Sequence, residues 1–156
     1  MTNTQLDIRP FQIADKDAVI ELWREVFPNE PPWNEPSAVI HRKLAFERQP
    51  FLVAAQEDTI VGTVLAGYDG IRGWIYHLAV ASSMRRAGIA RRLMMAAEDQ
   101  LNALGCPKVN LQVRATNADV IAFYREIGYD IEDRVSMSKR LAASEQIAPG
   151  VESHGS

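Results

Sequence analysis

Arg85-Arg86-Ala87-Gly88-Ile89-Ala90 joins an apolar stretch, Trp74–Val80, to a segment with helical periodicity. A strand that enters a helix through a glycine-bearing turn aims several backbone N–H groups at one spot. Those amides and the helix dipole together make a seat for a phosphate or pyrophosphate. Gly88 lets a ligand approach the backbone closely, and Ala90 keeps the first helical turn small. Arg85, Arg86, Arg91 and Arg92 add local positive charge. The dipole attraction is on the order of 1 kcal/mol, and charge-assisted hydrogen bonds add to it. The same residues also fit a plain strand-to-helix turn with solvated arginines. They are not a P-loop, because no Gly-Lys-Ser/Thr follows, and the three-glycine dinucleotide spacing is missing.

A second constellation lies downstream. Asn117 can cap a helix that carries Tyr124 two turns in, on the face of Val120 and Ile127, and Gly128-Tyr129 ends it. A phenol there can donate a proton to a leaving group. The competing reading is a core tyrosine with a satisfied hydroxyl.

The elements that must position these residues follow from periodicity and punctuation. Leu6–Pro10 alternates as an edge strand. Asp15 is the expected cap of a helix running to about Phe27, with Val19, Leu22, Trp23 and Val26 inward. After the loop PNEPPWNEP, Asn34 is the expected cap of a second helix, with Ile40 and Leu44 inward. Phe51–Gln56 and Thr59–Tyr68 should pair as an antiparallel hairpin through Glu57-Asp58. Trp74–Val80 is the expected central strand, and a third helix runs from Arg86–Gly88 to Leu104, with Gly105 beyond its end. Val109, Leu111 and Val113 form the inward row of another strand. A fourth helix starts at Asn117, and Tyr129–Glu132 with Val135–Arg140 should close the fold as a last strand pair. The expectation is an α/β domain over residues 1–141, with a mixed central sheet of 6–7 strands and four helices on both faces. Residues 142–156, rich in Ser, Gly and Glu, are expected to be a disordered tail.

The totals exclude several classes. The 156 residues suit one domain, and the net charge of −3 gives no general pull toward nucleic acid or anionic membrane. No stretch approaches the roughly 20 apolar residues of a membrane span, and the N-terminus lacks a signal-peptide pattern. The lone cysteine, Cys106, fits a reducing cytoplasmic setting and a structural role just past a helix end. No His/Cys/carboxylate cluster has metal spacing, so no metal is expected. Homodimerisation is left open.

In order and spacing, these motifs resemble the GNAT superfamily of acetyl-CoA-dependent N-acetyltransferases over roughly Leu6 to Leu141. The diagnostic parts are Leu78-Ala79-Val80, Arg85-x-x-Gly88-x-Ala90, and Asn117 through Phe123-Tyr124 to Gly128-Tyr129. Within the superfamily the chain is most similar to the bacterial YpeA-like group, through Pro32-Trp33-Asn34, Gly67-Tyr68-Asp69-Gly70 and Gly105-Cys106-Pro107-Lys108. It departs at Ala90, where many members have glycine, and at Arg86-Ala87, where glycine followed by a basic residue is usual.

The resemblance implies a GNAT-like fold with acetyl-CoA as the donor, held along Leu78, Ala79 and Val80 and by the amides of Arg86, Ala87, Gly88, Ile89, Ala90 and Arg91. Arg85 would lend charge, and Asn117 would contact the pantetheine or order Tyr124. An amine would attack the thioester directly, a backbone N–H near Leu78 would stabilise the oxyanion, and Tyr124 would protonate the departing thiolate. Tyr76, His77 and Asp69 are the candidate bases. Simple alternation places Tyr76 and His77 on opposite faces of their strand, and a packed histidine competes with a basic one. Glu30, Trp33, Asn34 and Glu35 are expected to receive a cationic amine, or to form a solvated acidic loop with Trp33 in the core. A non-catalytic acyl-CoA sensor is the alternative function; a phosphoryl-transfer enzyme would need a lysine and acidic metal ligands.

Overall fold

The structure, a computed structural model, describes residues 5–141. The tail expected over 142–156 lies outside the described residues. Among the described residues five strands form one sheet in sequence order: β1 (Leu6–Pro10), β2 (Phe51–Gln56), β3 (Thr59–Tyr68), β4 (Gly73–Val80) and β5 (Val109–Asn110). The first four are antiparallel, and β4 pairs with β5 in parallel. Glu57 and Asp58 take left-handed backbone, φ 50° and 65°, as a tight two-residue hairpin requires.

Four helices cover the sheet: α1 (Lys16–Val26), α2 (Pro36–Phe46), α3 (Ile89–Ala103) and α4 (Ala118–Glu126). Two apolar layers result. Val19, Leu22 and Trp23 of α1 and Ile40 of α2 pack with Phe51, Val53, Leu65 and Ala79 on one side. Ile89, Leu93, Ala97 and Leu101 of α3 pack with Leu52, Ala54, Val64 and Ile75 on the other, where Tyr124 joins them. Gly73 permits the join between β4 and β5, because a Cβ there would lie 2.7 Å from Cys106 Sγ. Among the described residues no helix is long and apolar enough to cross a membrane.

Three local expectations are corrected. The Asp15 side chain caps no helix amide of α1. It is clamped by Arg9 at 2.8 and 2.9 Å and accepts the Gln12 N–H, so it fixes the turn ahead of the helix. The cap of α2 is Glu35, which accepts from the Ala38 amide, while Asn34 donates to Glu30. The sheet has five strands where 6–7 were expected. The strand expected from Val109 keeps only two paired residues, and none of residues 129–141 joins a ladder. Ile131, Val135 and Met137 alternate as a strand would, but each is at least 70% exposed, so no apolar layer rewards the pairing. The segment instead runs beside residues 108–112 through the Lys108–Glu132 and Gln112–Ser136 side-chain bonds.

Candidate functional site

The expected donor end is built by a ladder that stops. β4 and β5 pair only at Gly73–Val109 and Trp74–Asn110. From Ile75 to Val80 the edge of β4 that faces β5 has no strand beside it among the described residues. Leu78 and Val80 lie along that edge, and both pack toward the layer that holds Tyr124. Ala79 packs on the opposite side, with α1.

The strand then leads into α3 through a turn with two left-handed residues, Arg86 at φ 68° and Gly88 at φ 78°. Arg86 thus occupies a conformation that glycine accepts freely and other residues at a cost of about 1–2 kcal/mol. No side chain caps α3, and its first turn holds no acid. A Cβ placed at Gly88 would meet nothing within 4 Å, so the space in front of the turn is open. Unclaimed amides at Ile89, Ala90 and Arg91, open space and flanking arginines fit an anionic group of pyrophosphate type.

Tyr124 stands on α4, whose first turn is capped by the Asn117 side chain accepting from the Val120 amide. Tyr124 is 8% exposed, and burial pushes its phenol up to about 12. It therefore stays protonated at neutral pH. Tyr129 fixes it from below: the Tyr129 amide donates to the Tyr124 carbonyl at 3.0 Å, and the rings meet edge-on at 5.7 Å. The Tyr129 hydroxyl in turn donates to Glu98 of α3 at 2.5 Å, so one hydrogen bond ties the helix with the open N-terminus to the helix carrying Tyr124.

On the other face, a bulge changes the geometry read from alternation. Leu65 pairs with Tyr76 and Thr63 with Ala79, so β4 carries one extra residue in this interval. His77 absorbs it with left-handed backbone, φ 51°. The result places Tyr76 and His77 on the same face, that of α1 and α2, rather than on opposite faces. The His77 ring packs on Trp23 at 4.4 Å and meets Phe27 edge-on at 5.5 Å. Burial pushes its pKa down to about 4, with Glu30 opposing and Arg42 reinforcing the shift. It is neutral at pH 7. Tyr76 is half exposed, and partial burial raises its pKa.

The remaining predicted residues fall into two places. Glu30, Trp33 and Asn34 lie in the α1–α2 connection, where Glu30 accepts from Asn34 Nδ2 at 2.8 Å. The Trp33 carbonyl accepts from Arg42, and its ring lies 3.9 Å under the Arg140 guanidinium. Asp69 sits in the β3–β4 turn, where its Oδ1 accepts the Ile71 and Arg72 amides. The Arg72 amide bond, then that of Ile71, holds the Asp69 carboxyl below its ordinary pKa. Among the described residues no group of three His, Cys, Asp or Glu side chains is placed to hold a metal.

Sequence reasoning missed Thr63, Glu98 and Arg42. Thr63 sits in an apolar run and Glu98 on a helix with polar neighbours, so neither had a motif to mark it.

The comparisons of sequence agree on one family. The family model described as acetyltransferase (GNAT) family matches residues 16–129. An acetyltransferase of Yersinia enterocolitica is 41% identical over 141 residues, spanning 90% of this chain and 99% of its own. An acetyltransferase of Pectobacterium atrosepticum is 43% identical over 136 residues, spanning 87% and 96%. Among solved structures, an aminoglycoside N-acetyltransferase in complex with CoA superposes with a TM-score of 0.74 at 17% identity, covering 88% of this chain and 96% of that one. A PaiA N-acetyltransferase of Thermoplasma acidophilum in complex with coenzyme A gives 0.66 at 20% identity, covering 84% and 93%. At these identities the two structures speak to the fold.

Proposed function

The chain belongs to the acetyltransferase (GNAT) family, and from that premise we propose that it transfers an acetyl group from acetyl-CoA to a primary amine, in one direct step. The observation that carries this reading is the β4–β5 ladder breaking after two pairs just ahead of the uncapped N-terminus of α3. A slot with free strand backbone on one wall and free helix amides at its end suits an amide-bearing arm that terminates in a pyrophosphate. The amides of Ile89, Ala90 and Arg91 hold the phosphates, with Arg85 and Arg86 supplying charge. Backbone groups of Leu78 and Val80 hold the arm, and Asn117 orders the start of α4.

The chemistry asked of the side chains is modest. The amine nitrogen bonds to the thioester carbon, the C–S bond breaks with its electron pair on sulfur, and the proton lost by nitrogen is balanced by one gained at sulfur. A free backbone N–H near Leu78 stabilises the transient oxyanion. Tyr124 donates to the departing sulfur; a phenol at about 12 is a hydrogen-bond donor throughout and gives its proton only as charge develops on sulfur. His77 at about 4 and Asp69, lowered further, are weak bases toward an ammonium. The amine therefore attacks from its neutral fraction, with its proton passing to solvent past the half-exposed Tyr76.

The curated relatives, named acetyltransferases, do not favour a non-catalytic acyl-CoA sensor. Thiol release from acetyl-CoA across a panel of primary amines tests the reading. Wild type should turn over at least one amine. Tyr124→Phe should lose about 10²–10⁴-fold in kcat while keeping its affinity for CoA. Tight CoA binding without thiol release from any amine would point to the sensor.

A further inference from the structure

Two recesses open on the face of α1 and α2, and they differ in what their carboxylates are doing. The first lies outside the α1–α2 connection and is lined by Phe27, Glu30 and Glu35. Its acids are occupied: Glu35 caps α2 and lies 3.6 Å from Arg24, and Glu30 accepts from Asn34. The second is a groove of about 320 Å³ between the C-terminal half of α2 and the start of β4, lined by Phe46, Trp74 and Tyr76 with Lys43, Glu47 and Asp69.

The second groove is built for a cation. Phe46 is 91% exposed and Tyr76 54% exposed, an unusual display of aromatic surface for two residues that line one groove. Asp69 spends only Oδ1 on the turn amides, and Oδ2 has no partner among the described residues. Arg72 donates to the Ile71 carbonyl and forms no ion pair with Asp69. Lys43 does not cancel both acids. Its ammonium is tied to the Ala66 carbonyl at 2.6 Å and to Glu47 at 3.6 Å, which leaves the lining one negative charge in excess. Aromatic faces beside an unpaired carboxylate attract an ammonium by its charge and by the ring quadrupoles together.

The groove also lies at a defined reach from the reaction. Trp74 and Tyr76 precede Leu78 by four and two residues on the same strand, about 13 and 7 Å at the usual strand rise. We propose that this groove seats a second ammonium of the acceptor, so that the substrate is a dicationic amine acetylated at one end while its other end rests among Phe46, Trp74, Tyr76 and Asp69. The proposal rests on the acetyl-transfer reading above and assigns its substrate class.

The test compares five-carbon and eight-carbon α,ω-diamines with the n-alkyl monoamines of the same lengths, by thiol release from acetyl-CoA. In wild type kcat/KM should favour the diamine by about tenfold or more. Phe46→Ala and Asp69→Asn should each bring the ratio toward one, with the affinity for acetyl-CoA unchanged by calorimetry. A variant that merely loses fold would lower both amines together and leave the ratio intact. Equal kcat/KM for diamine and monoamine in wild type, or a preference that survives both substitutions, overturns the proposal. If no amine is acetylated, the transfer reading fails separately, and calorimetry of the diamine with CoA-loaded protein decides the groove. Binding that Phe46→Ala weakens about tenfold sustains it, and no binding to wild type overturns it.

Discussion

The Thr63 hydroxyl donates to the carbonyl of His77 at 3.0 Å, and the same oxygen accepts the indole N–H of Trp23 at 2.8 Å. Thr63 is wholly buried. A side chain of β3 thus holds the one residue of β4 that is forced into left-handed backbone, and pins α1 to both strands. Thr63→Val keeps the shape and removes the bond, leaving the indole N–H and the carbonyl unsatisfied. It should lower stability by about 1–3 kcal/mol in urea unfolding. Because the bulge also sets the direction of Tyr76 and Leu78, kcat should fall as well. A fully active, fully stable variant would mean that the bulge holds itself.

His77 makes stability depend on pH. Its pKa in the fold is about 4 against an ordinary 6.5, so below pH 6.5 the unfolded chain takes up a proton that the folded chain refuses. The full contribution is present above pH 6.5 and is lost as pH falls toward 4. The loss should be on the order of 2 kcal/mol between pH 6.5 and 5 and about 3 by pH 4. His77→Asn, which tolerates the left-handed backbone, should be less stable at pH 7 but flatter between pH 6.5 and 5. Chemical denaturation at several pH values reads both slopes; parallel slopes would refute the assignment.

Gly88→Glu brings a carboxylate to the open space before α3. Calorimetry should show CoA affinity reduced by about 100-fold or more, since the charge repels phosphate and the side chain fills its seat. Gly88→Ala controls for backbone strain at φ 78°, and should bind more tightly than the glutamate variant. Unchanged affinity in Gly88→Glu would remove the pyrophosphate from this turn.

Arg86→Gly separates backbone from charge at the neighbouring position. Relief of the left-handed strain, about 1–2 kcal/mol, is partly offset by the entropy of glycine, so thermal stability should be unchanged or raised by up to about 1 kcal/mol. Affinity for CoA should fall several-fold with the lost guanidinium. A melting point lowered by several degrees would show that the Arg86 side chain is needed for the fold.

The elements that carry the expected donor site were legible because their signals are local. Gly88 and Gly105 punctuate α3, Asn117 starts α4, and the apolar period of Ile89, Leu93, Ala97 and Leu101 faces the sheet as read. The acceptor side was less so. One extra residue in β4 moved His77 to the face of Tyr76, and nothing in Tyr76-His77-Leu78 announces a bulge that a threonine on another strand supports. The closing strand pair failed for a different reason: Ile131, Val135 and Met137 have the period of a strand but no layer to cover, and pattern alone cannot supply the partner. The Phe46–Trp74–Tyr76 groove escaped because its walls come from α2 and β4, 28 residues apart at the closest and joined only by folding.

The short β4–β5 ladder has a thermodynamic side. From Ile75 onward, no strand among the described residues stands beside this edge of β4. In the placement proposed above, a donor molecule lying there would act as a guest strand, and the sheet would be finished only when it arrived. Folding and donor binding then share one free energy: at a donor concentration 100 times Kd the fold gains about 2.7 kcal/mol. The amide hydrogens of Leu78 and Val80, which face the open edge, should exchange slowly only in its presence, whereas that of Ala79 is already held by Thr63. The resistance of this enzyme to heat and proteolysis would then rise and fall with the supply of its own acyl donor.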